Sequence, residues 1–360
     1  MNTMKKIYIT APHKVEIKDV PIPTPGPGEL LIKTELSGIS AGTEMMLFEG
    51  TFPNFELKKW PQWTDYPVCP GYELVGTVVA IGEEVKGEVN MSQLDSLQPK
   101  SATLMNKASD FKVGDRVVCL GEHAEYACLP AEFVTKVPDN VSSEDATLAV
   151  LGTTSTHCLH RADIDFGDTV AIIGAGVLGY LATQQLKVGG ASKVIVIDMD
   201  ESRLDIVKKA GADVVLNPTK CDIAQEIMKV NNGILADVVI EASGAKGTEQ
   251  TALDIVRDRG KVVILGWHTN PMNFQFGDFY FKEVTLLATR AGGPEAGLPY
   301  AYVRWTTDQS LNNSIKLISE GKVTGKYFEP SVFPYTDIEK VYGMISNRDK
   351  KIGMQAMLKW

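Results

Sequence analysis

A glycine motif between a short apolar run and an amphipathic stretch limits the possible folds more than any other feature. It has the spacing G-x-G-x-x-G and follows an apolar run that ends at Ile173. The first glycine of such a motif permits a tight turn, the second lets the backbone approach a pyrophosphate, and the third lets the helix pack close to the sheet. Free N–H groups at the helix N-terminus favour the phosphate charge. We therefore predict a dinucleotide-binding turn formed by Gly174, Gly176, Val177, Leu178 and Gly179.

Six short apolar runs, including the one before this motif, alternate with helical patterns. They are continuous in Val, Ile and Leu, which indicates strands buried on both faces of a parallel sheet. Together they predict a doubly wound α/β domain over residues 151–290. The runs are Val170–Ile173, Val194–Ile197, Val214–Leu216, Val238–Ile240, Val262–Leu265 and Val284–Leu287.

Residues at the ends of these runs predict the rest of a cofactor site. Asp198 ends the second run, where a carboxylate accepts bonds from both ribose hydroxyls of NAD and repels the 2′-phosphate of NADP. Arg203 lies nearby and could stack on adenine or partly reverse that preference. Ligands bind at the carboxyl ends of parallel strands, so NAD is expected to contact Ser243, Gly266, Trp267 and Arg290. A core position for Trp267 and a surface charge for Arg290 are the alternatives.

The first 150 residues follow a different pattern and predict a separate domain. Short β-type runs separated by Gly- and Pro-rich turns indicate an irregular β-barrel or sandwich. Residues 291–360 hold too few elements to fold alone and are expected to return to this first domain. The β-type runs are Lys6–Thr10, Glu29–Leu36, Leu74–Ile81 and Arg116–Leu120.

Charge and cysteine content exclude several function classes. The chain has 36 Lys and Arg against 45 Asp and Glu, a net charge of −9, and no basic run, so nucleic acid and anionic membranes are poor partners. No apolar run approaches the roughly 20 residues of a membrane span, and the N-terminus does not read as a secretory signal. Five scattered cysteines argue against a disulfide framework. We expect a cytoplasmic protein with a small-molecule substrate.

Motifs along most of the chain resemble those of the medium-chain dehydrogenases/reductases, the superfamily of alcohol, sorbitol and threonine dehydrogenases. Besides the glycine motif they are Pro-Gly-Pro-Gly-Glu-Leu-Leu (25–31), Pro-Gly-Tyr-Glu-Leu-Val-Gly (70–76), Val-Gly-Asp-Arg-Val (113–117), Ala-Glu-Tyr (124–126) and Gly-Ala-Asp (211–213). The resemblance implies a GroES-like substrate domain, a Rossmann domain and an active site in the cleft between them. It also implies that Thr154 contacts the nicotinamide side of the cofactor.

The resemblance fails where zinc members of the family hold their catalytic metal. Ser40 stands where a cysteine ligand is expected, Tyr72 replaces the histidine, and the third ligand would fall near Val150. A hydroxyl, a phenol and an aliphatic side chain lack the donors that zinc prefers. The four-cysteine structural zinc lobe is missing from the sequence as well. We therefore predict that the chain holds neither catalytic nor structural zinc.

Without zinc, other groups must polarise the reacting oxygen and move its proton. A tyrosine and a neighbouring hydroxyl can donate hydrogen bonds to a developing alkoxide. Glu44 or Glu73 would act as the terminal base if burial raises its pKa. Alternatively, Glu73 supports a neighbouring residue and Glu44 pairs with an arginine. The predicted catalytic residues are Ser40, Thr43, Glu44, Tyr72 and Glu73.

The histidines are not expected to take part in the reaction. His123 precedes the Ala-Glu-Tyr motif and is interpreted as a packed surface residue. His157 and His160 are interpreted as packing residues of a helix, because no third metal ligand is visible.

Two short motifs resemble those of particular branches of the family. One branch oxidises sugars or glycosides at a ring hydroxyl, and the Tyr-Val-Arg-Trp motif (302–305) is similar to it. The other comprises the bacteriochlorophyllide hydroxyethyl dehydrogenases, which share Gly-Ile-Ser-x-Gly-Thr-Glu (38–44). Aromatic rings can stack on the C–H face of a sugar, but they can equally anchor a loop. The candidate substrate contacts are Phe52, Trp60, Trp63 and Trp305.

Three functions remain open, and one leads. The leading hypothesis is zinc-independent, NAD-dependent oxidation of a secondary hydroxyl of a polyol, sugar or glycoside to a ketone. A zinc-free quinone or enoyl reductase is the second, and Asp198 disfavours it because such reductases usually prefer NADPH. A non-catalytic dinucleotide-binding protein is the third, and the polar cluster at Ser40, Thr43 and Tyr72 argues against it.

An apolar edge strand at Val284–Leu287 also predicts a homodimer or homotetramer.

Overall fold

Two sets of strands divide the chain into two units. The computed structural model describes residues 2–59, 61–83, 106–269, 271–294, 303 and 305–360. The first unit comprises Met1–Val150, Gly292–Ser319 and Pro330–Trp360, and the second comprises Leu151–Ala291 and Glu320–Glu329. The short stretch Glu320–Glu329 thus groups with the second unit, whereas we expected all of 291–360 to return to the first.

Strands predominate in the first part of the chain, and strands alternate with helices in the middle. The strands are β1 (Thr3–Ala11), β2 (Lys14–Pro21), β3 (Glu29–Ile39), β4 (Glu73–Ile81), β5 (Arg116–Cys119), β6 (Tyr126–Pro130), β7 (Val134–Lys136), β8 (Thr169–Ile173), β9 (Lys193–Ile197), β10 (Val214–Leu216), β11 (Ala236–Glu241), β12 (Val256–Ile264), β13 (Thr285–Ala288), β14 (Ser331–Pro334) and β15 (Ala356–Lys359). The helices are α1 (Thr43–Glu49), α2 (Asn54–Leu57), α3 (Ser143–Ala162), α4 (Val177–Gly189), α5 (Glu201–Lys209), α6 (Ile223–Val230), α7 (Thr248–Ile255), α8 (Phe276–Phe281), α9 (Thr307–Ser319) and α10 (Ile338–Ser346). Across the described ranges, no helix combines the length and apolar character needed to cross a membrane.

The second unit is built on one six-stranded parallel sheet. Its strand order is β10-β9-β8-β11-β12-β13, the doubly wound order of a Rossmann domain. Each of the six predicted apolar runs overlaps one of these strands, so the predicted fold of this unit is confirmed. The order places the carboxyl ends of β8, β9, β11 and β12 at the same edge of the sheet.

Burial explains why these runs are continuous in Val, Ile and Leu. Every residue of β8 is buried, and helices pack against the sheet. One core cluster joins the strands to α6 and α7 through residues such as Ile195, Ile227 and Leu253. Each such side chain contributes about 1.5–3 kcal/mol relative to leaving it exposed.

The first unit combines a two-stranded hairpin with a seven-stranded sheet. β1 and β2 pair antiparallel, and the larger sheet has the order β14-β15-β3-β4-β5-β7, with β6 also on β3. Gly38 on β3 lies opposite both Glu73 on β4 and Met357 on β15. The start of β4 and the C-terminal strand therefore flank the same point of β3.

A buried cluster holds α1 in place at the end of β3. It joins Leu47 and Phe48 of α1 to Ile7 of β1 and to Val341 and Tyr342 of α10. The Phe48 and Tyr342 rings meet edge to face at 5.3 Å. This packing fixes the N-terminus of α1, which carries two of the predicted catalytic residues.

Candidate active site

The glycine motif joins the end of β8 to the start of α4. Gly174 has a φ of 107°, in the left-handed region that favours glycine. A Cβ on Gly179 would lie 2.0 Å from the Gly174 carbonyl oxygen, so any larger residue would push α4 away from the turn. A Cβ on Gly176 would meet no heavy atom within 4 Å, which leaves this backbone open to a ligand. The geometry at all three glycines suits a phosphate-binding turn.

Asp198 faces the same turn from the end of β9. Its Oδ2 accepts a hydrogen bond from the Ala175 N–H at 2.7 Å, and its Oδ1 accepts one from the Asp200 N–H at 2.9 Å. A carboxylate oxygen can accept two bonds, so each can still receive one from a ribose hydroxyl. No side chain caps the N-terminus of α4 at Gly176, in this described part of the chain. Val177 and Leu178 open that helix, and their N–H groups can meet a phosphate.

The charged residues that follow Asp198 lie at the start of α5. Asp200 caps this helix by accepting from the Ser202 N–H at 2.9 Å. Glu201 forms an ion pair with Lys220 at 2.8 Å, and Arg203 is exposed one turn into the helix. Asp200 thus caps α5 with its side chain, while its backbone N–H and that of Ala175 bind the Asp198 carboxylate.

Glu241 ties together the loops that follow β11 and β12. Its fully buried carboxylate accepts bonds from the Ser243 N–H at 2.9 Å and from His268 Nε2 at 2.8 Å. A Cβ on Gly266 would lie 2.7 Å from Glu241 Oε2, so this loop needs a glycine there. Trp267 is 45% exposed, and the alternative of a core position for it is wrong. Three of the expected cofactor contacts thus lie on two loops that Glu241 joins by hydrogen bonds. These contacts are Ser243, Gly266 and Trp267.

Thr154 and Arg290 also belong to the second unit. Thr154 is buried on α3, and His157 follows it by three residues on the same helix. Burial, with Arg161 and Arg290 nearby, lowers the pKa of His157. The exposed Arg290 therefore lies within electrostatic range of the part of α3 that carries Thr154.

In the first unit, the Tyr72 phenol meets the two hydroxyls predicted to accompany it. The Ser40 and Thr43 side chains lie beside it and, as hydrogen-bond partners, lower its pKa. Tyr72 immediately precedes β4, and Ser40 immediately follows β3, so the pairing of these two strands brings them together. Burial, and then the neighbouring Glu73 carboxyl, hold the pKa of the Tyr72 phenol well above its ordinary value. The phenol keeps its proton at neutral pH and can donate a hydrogen bond.

Glu44 is fully buried, and both of its carboxylate oxygens accept hydrogen bonds. Oε1 accepts from the Ser40 N–H at 2.8 Å. Oε2 accepts from His123 Nε2 at 2.9 Å and from the Tyr342 hydroxyl at 2.5 Å. Glu44 therefore pairs with a histidine, and the alternative of an arginine partner is wrong.

His123 is fully buried, so its interpretation as a surface residue is wrong. Its Nδ1 lies 2.8 Å from Ser37 Oγ, and its backbone N–H donates to the Pro70 carbonyl at 2.9 Å. Gly71 makes room for the ring, since it has a φ of 96° and a Cβ there would lie 2.7 Å from His123 Cγ. The partner Glu44 is 79 positions away in sequence, so no local pattern indicates the contact.

Glu73 is the second buried carboxyl of this group. Its Oε2 accepts from Gln355 Nε2 at 2.7 Å, whereas its Oε1 has no hydrogen-bond partner among the described residues. Burial, and then the Glu44 carboxylate, raise the pKa of Glu73 well above its ordinary value, against the opposing effect of Gln355. A carboxyl with a raised pKa holds a proton more readily near neutral pH. The Gln355 contact fits a supporting role, whereas the ionised form of Glu73, with its raised affinity for a proton, fits a base.

The aromatic segment after α1 packs into the core of the first unit. Phe52 is 5% exposed, and its ring meets that of Trp63 edge to face at 5.6 Å. Trp63 Nε1 donates to the Cys69 carbonyl at 2.9 Å. These contacts fit the alternative, in which Phe52 and Trp63 anchor a loop to the barrel. Trp305 is half-buried, and Trp60 lies outside the described residues.

Three residues of the first-unit cluster were not predicted from sequence. Besides His123 they are Tyr342, on α10, and Gln355, next to β15. Both lie in the segment expected to return to the first domain, and that expectation is the only signal that could have pointed to them. All three bind a buried carboxylate, Glu44 or Glu73.

A Rossmann unit with a dinucleotide-type turn and a β-rich unit with buried hydroxyls and carboxyls define an oxidoreductase. Comparison with family models agrees for both units. The model described as "Zinc-binding dehydrogenase" matches residues 177–305, and "Alcohol dehydrogenase GroES-like domain" matches residues 26–139. The prediction of a GroES-like first domain is therefore confirmed.

Similar proteins cover nearly the whole chain. The L-threonine 3-dehydrogenase of Pyrococcus furiosus is 32% identical over 342 residues, which are 90% of this chain and 91% of the relative. The erythritol/L-threitol dehydrogenase of Mycolicibacterium smegmatis is 26% identical and covers 97% of this chain and 96% of its own. A crystal structure of an alcohol dehydrogenase from E. coli CFT073 complexed with NADH shares the fold, with a TM-score of 0.78, 21% identity and 99% coverage of both chains. The chain belongs to the zinc-type medium-chain dehydrogenase/reductase superfamily, and it is a dehydrogenase that acts on CH–OH groups.

Zinc is implied by the family, but the side chains at the ligand positions do not suit it. The Ser40 hydroxyl and the Tyr72 phenol lie beside each other, and Val150 is a buried aliphatic residue. Zinc binds thiolate, imidazole and carboxylate donors. Within the described ranges, no three His, Cys, Asp or Glu side chains are grouped to hold a metal ion.

Proposed function

We propose that this chain is a zinc-independent, NAD-dependent dehydrogenase that oxidises a secondary hydroxyl of a polyol, sugar or glycoside to a ketone. The observation that carries the proposal is the grouping of the Tyr72 phenol with the Ser40 and Thr43 side chains at the paired ends of β3 and β4. Two of its members occupy positions where zinc members of the family hold a ligand. Hydrogen-bond donors directed at a developing alkoxide stabilise it in place of a Lewis acid.

The proposed reaction breaks one C–H and one O–H bond and forms one C=O bond. Tyr72 donates its phenolic hydrogen bond to the reacting oxygen, while Ser40 and Thr43 orient the phenol. The nicotinamide, when bound, accepts the hydride. Glu73 in its ionised form takes up the hydroxyl proton, because its Oε1 has no other partner in the described part of the chain and because burial and Glu44 raise its pKa and so its affinity for the proton. The three donors on Glu44 leave it less suited to this step.

The proposal of NAD rather than NADP rests on Asp198. Its carboxylate stands beside the glycine turn, bonded to the Ala175 N–H. A ribose 2′-hydroxyl can donate to this carboxylate, whereas a 2′-phosphate would meet like charge. The exposed Arg203 is the nearby cation that could moderate this preference.

The proposed substrate class rests on the names of the relatives and on the chemistry of the site. Those relatives are an L-threonine 3-dehydrogenase and an erythritol/L-threitol dehydrogenase, both named for hydroxylated substrates. A site of hydroxyl, phenol and carboxyl groups can bind further hydroxyls of a polyol or a sugar. We retain Trp305, which is half-buried, as a proposed substrate contact.

The proposed assembly is a homodimer or a dimer of dimers. β13 lies at one end of the six-stranded sheet, and Leu286 on it is 38% exposed. An apolar edge strand pairs readily with its copy across a two-fold axis.

Substitution of Tyr72 by Phe tests the proposed role of the phenol. Loss of one donor to a developing oxyanion costs about 10²–10³ in kcat, so Tyr72→Phe is expected to lose that much. The dissociation constant for NADH should stay unchanged, because the variant leaves the second unit intact. The control is Tyr66→Phe, which removes a phenol that donates to the Leu47 carbonyl at 2.6 Å. Equal turnover by wild type and Tyr72→Phe would contradict the proposal.

A further inference from the structure

A buried chain of hydrogen bonds crosses the first unit and takes no part in the proposed proton transfer. Trp360 Nε1 donates to Ser37 Oγ at 2.9 Å, and Ser37 Oγ lies 2.8 Å from His123 Nδ1. His123 Nε2 then reaches Glu44 Oε2 at 2.9 Å, which the Tyr342 hydroxyl also approaches. His123, Glu44 and Tyr342 are each completely buried. Such an arrangement is costly unless every polar atom in it is paired.

The donor and acceptor roles along this chain follow from the chemistry of its members. An ionised carboxylate only accepts, so His123 Nε2 carries a proton and donates to Glu44. The Ser37 oxygen already accepts from Trp360, and its own hydrogen can go to His123 Nδ1. Each group then has one orientation, and the imidazole ring cannot turn without losing two bonds.

The Glu44 end of the chain controls the turn that carries the catalytic hydroxyls. Glu44 Oε1 accepts from the Ser40 N–H at 2.8 Å, and the Glu44 N–H donates to the Ser40 carbonyl at 3.0 Å. Two hydrogen bonds between Ser40 and Glu44 therefore close this turn. Ser40 and Thr43, which bind the Tyr72 phenol, both lie in this turn.

The imidazole also contacts the segment that carries Tyr72 itself. The ring lies so close to Gly71 that a Cβ there would be 2.7 Å from it, and the backbone N–H of His123 donates to the Pro70 carbonyl at 2.9 Å. His123 thus touches the residue before Tyr72 on one side and, through Glu44, the Ser40–Glu44 turn on the other.

We infer that His123 and Tyr342 are positioning residues of the oxidation site, which hold Glu44 so that the Ser40–Glu44 turn presents its hydroxyls to the Tyr72 phenol. The inference rests on the proposed function for its effect on turnover. It assigns a role to two residues that touch neither substrate nor cofactor in the proposed reaction.

The test compares Tyr342→Phe, His123→Gln and His123→Leu with the control Tyr66→Phe. Tyr66 also bonds to α1, at the Leu47 carbonyl, but it does not touch Glu44. Loss of a hydrogen bond to a charged group is expected to lower kcat about tenfold to a hundredfold in Tyr342→Phe, with an unchanged dissociation constant for NADH. The Gln amide can still donate to Glu44, so His123→Gln should retain more activity than His123→Leu. A kcat within twofold of wild type in both Tyr342→Phe and His123→Gln would overturn the inference, as would equal losses in Tyr342→Phe and Tyr66→Phe.

A spectroscopic readout separates this inference from the proposed function. The ¹³Cζ resonance of Tyr72 in tyrosine-labelled protein, assigned with Tyr72→Phe, reports the hydrogen bonds of the phenol without any turnover. It is expected to shift in Tyr342→Phe and His123→Gln and to stay in place in Tyr66→Phe. An unshifted resonance refutes the positioning role even if the protein oxidises alcohols. A shifted resonance in a protein that oxidises none supports the positioning role and refutes the proposed function.

Discussion

The buried Glu73 carboxyl gives the fold a pH dependence that one substitution should remove. Glu73 is fully buried, and burial, with the Glu44 carboxylate, raises its pKa well above the ordinary value of 4.5. In the unfolded chain the carboxyl titrates near that ordinary value. Between the two pKa values the folded state therefore holds a proton that the unfolded state has released.

The sign of the effect follows from this difference in bound protons. Below about pH 4.5 both states are protonated, and Glu73 adds no slope. As the pH rises from there toward the raised pKa, the unfolded state binds fewer protons, so the free energy of unfolding falls. For a single carboxyl the fall is at most about 1.4 kcal/mol for each pH unit.

Urea unfolding at pH 5.5, 6.5, 7.5 and 8.5 measures this slope. Glu73→Gln keeps an oxygen that accepts from Gln355 but does not titrate, so its free energy of unfolding should gain on that of wild type as the pH rises toward the raised pKa of Glu73, by at most about 1.4 kcal/mol per unit. Glu56→Gln, which removes an exposed carboxyl from the same unit, is the control and should run parallel to wild type. Parallel curves for wild type and Glu73→Gln would refute the raised pKa and, with it, the choice of Glu73 as proton acceptor.

Three further predictions concern the second unit. Gly179→Ala places a Cβ 2.0 Å from the Gly174 carbonyl oxygen, so NADH binding by fluorescence titration should weaken at least about a hundredfold, and unchanged affinity would contradict the proposed turn. Asp198→Asn keeps an acceptor for the Ala175 N–H but loses the charge, so the ratio of kcat/KM for NAD to that for NADP should fall about tenfold, and a constant ratio would remove Asp198 from the cofactor argument. Light scattering should give at least a dimer for wild type and a smaller mass for Leu286→Lys, whereas a monomeric wild type would rule out the proposed assembly.

The second unit could be predicted in detail because its signals are local. Each strand of the parallel sheet contains or overlaps a continuous apolar run, and the glycine motif sits between one strand and one helix, so a short window contains the whole pattern. β2 was missed for the opposite reason. Its residues Lys14–Pro21 are partly or fully exposed, and charged residues separate the apolar ones, so the strand contains no apolar run.

The candidate catalytic group could be predicted only in part. Ser40, Thr43 and Tyr72 occur where the family motifs place active-site residues, and the structure brings these three side chains together. The interpretation of His123 was wrong because burial is decided by contacts with Ser37 and Glu44, 86 and 79 positions away. Tyr342 is 298 positions from Glu44, so only the folded chain shows this contact.

The measurement that tests the central claim most directly is the absorbance of NADH formed by chelator-treated protein with NAD and a panel of polyols, sugars, methyl glycosides and simple alcohols. The account predicts turnover of a polyol or sugar-like compound at a rate that added Zn²⁺ does not raise. Turnover that appears only after zinc is restored would contradict it, because the Ser40, Thr43 and Tyr72 hydroxyls would then be insufficient to polarise the reacting oxygen.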